Sequence, residues 1–107
     1  MAWIVKELSG EEFDDFIAKE NCIVDFFADW CAPCKEMKLV FEEAAKSLKG
    51  NVKFGKINIE GNEKIAQNYL VMSIPTLIFF KNGEEANRLN GLVSEKEIIK
   101  TAKATFK

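Results

Sequence analysis

Two hydrophobic rhythms alternate along the chain: nearly continuous apolar runs, and stretches with an apolar residue every third or fourth position. The run Cys22 to Ala28 (CIVDFFA) is almost unbroken, the pattern of a strand covered on both faces. Beyond it Met37, Phe41, Ala44, Ala45 and Leu48 recur at helical spacing, with Lys38, Glu42, Glu43 and Lys46 between them, which predicts an amphipathic helix closed by Gly50. Upstream, Ile4 and Val5 suggest a short strand. Ser9-Gly10-Glu11-Glu12 fits a capping box, and Phe13, Phe16 and Ile17 follow it, so a first helix is expected from about Gly10 to Lys19.

Downstream, Val52 to Ile59 reads as a strand, and Asn62 as the cap of a short helix reaching about Tyr69. Thr76 to Lys81, the pair Asn82-Gly83 and an extended stretch to about Asn90 make a hairpin. Ser94 with Glu97 forms a second capping box, opening a last helix that turns Ile98, Ile99, Ala102 and Phe106 inward. The predicted order is βαβαβα followed by ββα. Strands alternating with helices imply parallel pairing and the late hairpin adds an antiparallel part, so the expected class is α/β, a mixed central sheet with helices on both faces.

Composition narrows the function. The chain has 107 residues, 48% of them hydrophobic, and no repeat or linker divides it, so residues 1–107 are expected to form one domain. Fifteen basic and 17 acidic residues give a net charge of −2, without the basic excess that nucleic-acid or anionic-membrane partners require. With no histidine, serine–histidine and cysteine–histidine nucleophile pairs and HExxH metal sites are excluded. No apolar run approaches the roughly 20 residues that cross a bilayer, and Met1 to Val5 is too short for the apolar core of a signal peptide. Three cysteines, an odd number, argue for a reducing cytoplasm.

Cys31-Ala32-Pro33-Cys34 lies where the buried strand ends and the amphipathic helix begins. A cysteine capping a helix directs its sulfur toward the unpaired amides of the first turn, so a thiolate there accepts the N–H of Cys34 and meets the positive end of the helix dipole. Lowering a thiol pKa from about 8.5 to about 7 by such means raises the thiolate fraction at neutral pH from a few per cent to about half, a shift worth roughly 2 kcal/mol. Cys34, three positions on, shares that side of the helix, and Pro33 falls in the first turn, where its missing N–H costs little. The other readings are a disulfide staple, which in so short a loop contributes only about 2 kcal/mol, and half of a zinc site, which lacks ligands because Cys22 is the one remaining soft donor. CxxC at a strand–helix junction favours redox function.

DFFADWCAPCK at 25–35, KINIE at 56–60, SIPT at 73–76, FFKNGE at 79–84 and Gly91 resemble the thioredoxin family, in the family's order and across nearly the whole chain. Thioredoxins are themselves the familiar case of a CxxC thiol near neutral pKa, so the direction of that shift is the family's. The resemblance implies a thioredoxin fold and a protein-disulfide reductase in which Cys31 attacks a substrate disulfide and Cys34 resolves the mixed disulfide. It implies no cofactor or metal beyond the redox-active pair, disulfide-containing protein substrates, re-reduction by a thioredoxin reductase, and a cytoplasmic monomer.

Asp25 is the one charge in the buried strand. Its ordinary alternative is an edge-strand carboxylate in water; burial would instead raise its pKa toward neutrality. The resemblance makes Asp25 the acid/base for Cys34 and Lys56 a modulator, although by spacing Lys56 is an ordinary solvated lysine. Pro75 by itself reads as a trans proline starting a strand; the resemblance implies a cis bond facing the cysteines, with the Ile74 backbone pairing to substrate. Trp30, Ala32, Pro33, Ile74 and Gly91 then form a docking patch. Cys22 is expected to be an inert small hydrophobe.

Three positions depart from the family pattern. Ala32 replaces a frequent glycine between the cysteines and bears on redox poise, Phe27 stands where tryptophan is common, and Leu39 replaces a helix-kinking proline, which predicts a straighter helix. The competing functions are a more oxidising or dedicated redox partner and a non-catalytic binding module of the same fold. The intact WCAPC, Asp25 and IPT weigh against the module.

Overall fold

In the computed structural model, which describes residues 4–107, the elements follow as β1 (Val5–Glu7), α1 (Phe13–Ala18), β2 (Cys22–Phe27), α2 (Ala32–Ser47), β3 (Lys53–Asn58), α3 (Glu63–Asn68), β4 (Thr76–Lys81), β5 (Glu84–Asn90) and α4 (Glu95–Thr105). The sheet order is β1-β3-β2-β4-β5, with β1, β3 and β2 parallel and β4 and β5 antiparallel. This is the α/β order and mixed sheet that the periodicity predicts. β2 lies at the centre.

Alternation along β2 divides the core. Ile23 faces α2 and α4, packing with Phe54, Leu77 and Phe79 against Met37, Phe41, Ala44, Ala45, Leu48, Ile98 and Ala102. Cys22, Val24 and Phe26 face the other way, packing with Ile57, Ile78 and Phe80 against Phe13 and Ile17 of α1, with Ile65 and Tyr69 at the margin. The five apolar positions read as the inner stripe of the long helix are all buried. Ile99 and Phe106 are only partly buried, at the edge of the same cluster. On β3, Gly55 passes so close to α1 that an added Cβ would lie 2.9 Å from the Phe16 ring and 3.1 Å from a Leu8 methyl.

Boundaries shift for physical reasons. The Ser9–Glu12 capping box forms, with the Ser9 N–H donating to Glu12 Oε2 at 2.8 Å and the Glu12 N–H to Ser9 Oγ at 3.3 Å, but it closes a turn, and α1 starts at Phe13 rather than Gly10. Asn62 sits at the head of α3 without capping it through its side chain. Its amide donates to the Asn58 carbonyl at 2.8 Å instead, and the Glu63 carboxylate accepts from the Gly61 N–H at 3.0 Å. Ser94 does cap α4, accepting from the Glu97 N–H at 3.1 Å. The hairpin turn places Asn82 and Gly83 at φ 55° and 84°, the left-handed pair that matches strand twist in a two-residue loop. The helix after the cysteines runs unbroken through Leu39.

Phe41 is fully buried with its ring centroid 5.0 Å from that of Phe54, so it ties α2 to the sheet. Phe41→Ala is expected to lower unfolding free energy by about 3–5 kcal/mol in urea titration.

Candidate active site

The site begins where β2 leaves the sheet. Ala28 and the following turn carry the chain to Cys31, which caps α2 in an extended conformation (φ −87°, ψ 111°) and accepts the Cys34 N–H on Sγ at 3.2 Å. Its carbonyl accepts from Cys34 and Lys35 at 3.1 and 3.3 Å. Pro33 lies in the first turn of α2, where no N–H is missed. Cys31 and Cys34 are joined as a disulfide, Cα atoms 5.2 Å apart, and both are buried while Ala32 and Pro33 between them are exposed. The pair therefore sits at a helix N-terminus of 16 residues, under a two-residue exposed bridge.

A second loop meets it. The Ile74–Pro75 bond is cis, and the Ile74 carbonyl oxygen lies 3.8 Å from Cys31 Sγ. Two bonds fix that loop: the Thr76 hydroxyl donates to the Ser73 carbonyl at 2.7 Å, and the Gly91 N–H donates to the Pro75 carbonyl at 2.7 Å. Gly91 sits at φ 84°, a conformation open to glycine at little cost. Trp30 is 65% exposed beside Cys31, its indole N–H donating to Glu60 Oε2 at 3.0 Å. Trp30, Ala32, Pro33, Ile74, Pro75 and Gly91 thus belong to segments that converge on the disulfide.

Asp25 and Lys56 lie on its inner side. Counting by twos from Ile23 puts Asp25 on the α2 face of β2, and the register pairs it with Lys56 on β3, which in turn pairs with Glu7 on β1. Asp25 is 3% exposed and its Oδ1 has no hydrogen-bond partner. Burial raises its carboxyl from an ordinary 3.8 to about 7, with the Lys56 charge pulling the other way. Asp25, Lys56, Cys34, Lys35, Lys38 and Glu7 line a cleft of about 290 Å³. The Lys56 Nζ stands 5.5 Å from the Phe27 ring centroid, so this lysine is held against an aromatic face and is not a freely solvated strand residue.

Cys22 stands apart. It is fully buried on the α1 face, and burial pushes its thiol up to about 11. Among the described residues no group of three or more cysteines, aspartates or glutamates is arranged to hold a metal ion, and no helix is long and apolar enough to cross a membrane.

Glu60, Thr76 and Asn90 are the supporting residues that periodicity does not disclose. Glu60 orients Trp30 across 30 positions, and the Thr76 hydroxyl lies 3.4 Å from the Asn90 side-chain oxygen. No local pattern marks such long-range partners.

Comparison with known proteins agrees with this geometry. Residues 4–104 match the family model Thioredoxin. The thioredoxin of Chlamydia pneumoniae is 49% identical over 96 residues, covering 90% of this chain and 92% of that protein, and that of Chlamydia caviae is 42% identical over 97 residues, covering 91% and 94%. The solved structure of an N21Q mutant thioredoxin from Halobacterium salinarum superposes with a TM-score of 0.88 at 28% identity, covering 96% of this chain and 91% of that one. With a disulfide at the head of the long helix, a cis-proline loop against it and a matching family model across residues 4–104, the chain belongs to the thioredoxin family of disulfide oxidoreductases.

Proposed function

We propose that Cys31 is the nucleophile, Cys34 the resolving thiol and Asp25 the proton acceptor for Cys34 in the reduction of protein disulfides. The observation that carries this reading is the Cys34 N–H pointing at Cys31 Sγ from the first turn of α2, with Asp25 buried on the inner side of the pair. In the reduced protein that N–H and the helix dipole favour negative charge on the Cys31 sulfur. The Cys31 thiolate attacks one sulfur of the substrate disulfide, forming a mixed disulfide and releasing the other substrate sulfur as a thiolate that takes up a proton. Cys34 then gives its proton to Asp25 and attacks Cys31 Sγ. The mixed bond breaks, the Cys31–Cys34 bond forms, and the second substrate thiolate leaves; two electrons have passed to substrate.

Asp25 suits this step because a carboxyl near pH 7 both accepts and returns a proton under neutral conditions. Lys56, beside it in the cleft, modulates that exchange. Trp30, Ala32, Pro33, Ile74, Pro75 and Gly91 make the substrate platform, where the Ile74 backbone pairs with an extended substrate strand. The dithiol is its own electron carrier, so the reaction needs no further cofactor. A thioredoxin-reductase-type partner returns two electrons to the disulfide, and the protein works as a monomer in a reducing cytoplasm.

With dithiothreitol as electron source, wild-type protein should reduce the disulfides of insulin, and Cys31→Ser should abolish turnover; turnover that survives would remove this reading. The reduction potential of the pair separates a general reductant from an oxidant, since about 30 mV is tenfold in equilibrium. Asp25→Asn should slow disulfide exchange at pH 7 on the order of tenfold or more. The same change should stabilise the fold. The Asp25 value is raised in the folded state, so stability is greatest below its ordinary 3.8 and declines as pH rises toward about 7. Urea titration should therefore show Asp25→Asn more stable than wild type by about 2 kcal/mol or more at pH 8, and by far less at pH 4.

A further inference from the structure

We infer that Leu70 and Met72 form a specificity-determining apolar contact for the polypeptide whose disulfide Cys31 attacks, favouring chains with large apolar side chains beside the reacting cystine, and that Arg88 positions this contact. The inference rests on the disulfide-exchange reading above.

The distribution of exposed hydrophobic side chains is uneven. Among the described residues six large ones are exposed, and four of them adjoin in sequence the segments that meet at Cys31: Trp30 precedes it, Leu70 and Met72 lead into Ile74, and Leu92 follows Gly91. Leu70 and Met72 are the most exposed of all, at 71% and 89%. Between them Val71 turns inward against the α1-side cluster, while its two neighbours stand in solvent. Two positions beyond Met72 comes Ile74, whose carbonyl lies 3.8 Å from Cys31 Sγ. Two residues of chain span at most about 7 Å. A substrate sulfur must touch Cys31 Sγ for exchange to occur, so residues flanking the substrate cystine come within reach of this segment.

Leu70 is also an improbable residue for its backbone. It follows the C-cap of α3, with its N–H on the Gln67 carbonyl at 3.0 Å and the Val71 N–H on the Ala66 carbonyl at 2.9 Å, a helix ending that turns on one left-handed residue and usually takes glycine there. Leu70 occupies that position at φ 54° with its side chain in water. Neither backbone nor core accounts for a leucine here. A binding surface does.

Arg88 holds the segment. It is the only arginine in the chain, and from β5 its guanidinium donates to the Tyr69 carbonyl at 2.5 Å and the Leu70 carbonyl at 3.3 Å while pairing with Glu85 at 2.6 and 2.8 Å. This fork satisfies terminal carbonyls of α3 and fixes the entry to the 70–74 segment, a geometry that a lysine does not reproduce.

The test uses two synthetic peptides with the same internal disulfide, one with leucine and one with serine on either side of the cystine, reduced by dithiothreitol through the protein. Wild type should favour the leucine peptide in kcat/KM by on the order of tenfold, the value of one buried apolar side chain. Leu70→Gly and Met72→Ser should each reduce that preference, and the double variant should bring it near one, through KM for the leucine peptide. Arg88→Ala should reproduce part of the loss, also in KM for that peptide alone. Leu70→Gly relieves a left-handed leucine, so its Tm should hold or rise while the preference falls. A preference unchanged in all variants, no preference in wild type, or a Tm of Leu70→Gly that falls in step with activity would overturn the inference. Reduction of either peptide that survives Cys31→Ser would instead overturn the exchange reading beneath it.

Discussion

Burial of β2 on both faces is the constraint from which the rest follows. A central strand between two helical layers has no solvated side, so a carboxylate placed in it must either be paired or be held neutral. Asp25 has no partner on Oδ1, and the same two-residue alternation that directs Ile23 into the α2 core directs Asp25 beneath the head of that helix. Because β2 runs directly into α2, one strand delivers both the disulfide at its end and the titratable group on its flank. The catalytic chemistry is thus an outcome of topology: parallel strands with their carboxyl ends at one edge, and a helix starting there.

Much of the fold was legible because hydrophobic period and strand length coincide here with real elements. The CIVDFFA run has the pattern of a doubly covered strand and forms one, β2, and all five inner positions of the long helix are buried. The hairpin at Asn82-Gly83 was equally clear, since two consecutive left-handed residues are demanded by the twist and few pairs accept them. Capping residues were less dependable. Ser94 caps its helix, Ser9 closes only a turn, and the Asn62 side chain bonds backward to Asn58, because each side chain takes whichever carbonyl or amide the tertiary fold brings nearest.

The site divides along the same line. The cysteines and Pro33 declared themselves by local spacing at a strand–helix junction, whereas the cis bond at Pro75 and the significance of Lys56 came from resemblance alone. What neither route disclosed is the scaffolding: the Thr76 hydroxyl on Ser73, the Gly91 amide on Pro75, the Glu60 carboxylate on Trp30 and the Arg88 fork on the end of α3. These are contacts between distant positions, made by residue types that occur anywhere on a protein surface. Only the folded arrangement distinguishes them.

Cys22 acquires a meaning from where it sits. A molecule that makes and breaks disulfides is its own worst contaminant if it carries another accessible thiolate, because any such group could intercept the mixed disulfide and divert it into a dead-end pairing. Placing the third sulfur in the α1-side core, with its ionisation pushed up to about 11 by burial, leaves it with little thiolate near neutral pH. The sheet therefore acts as an insulator between a reactive couple and a spare conductor, and the stoichiometry of the chemistry stays at two.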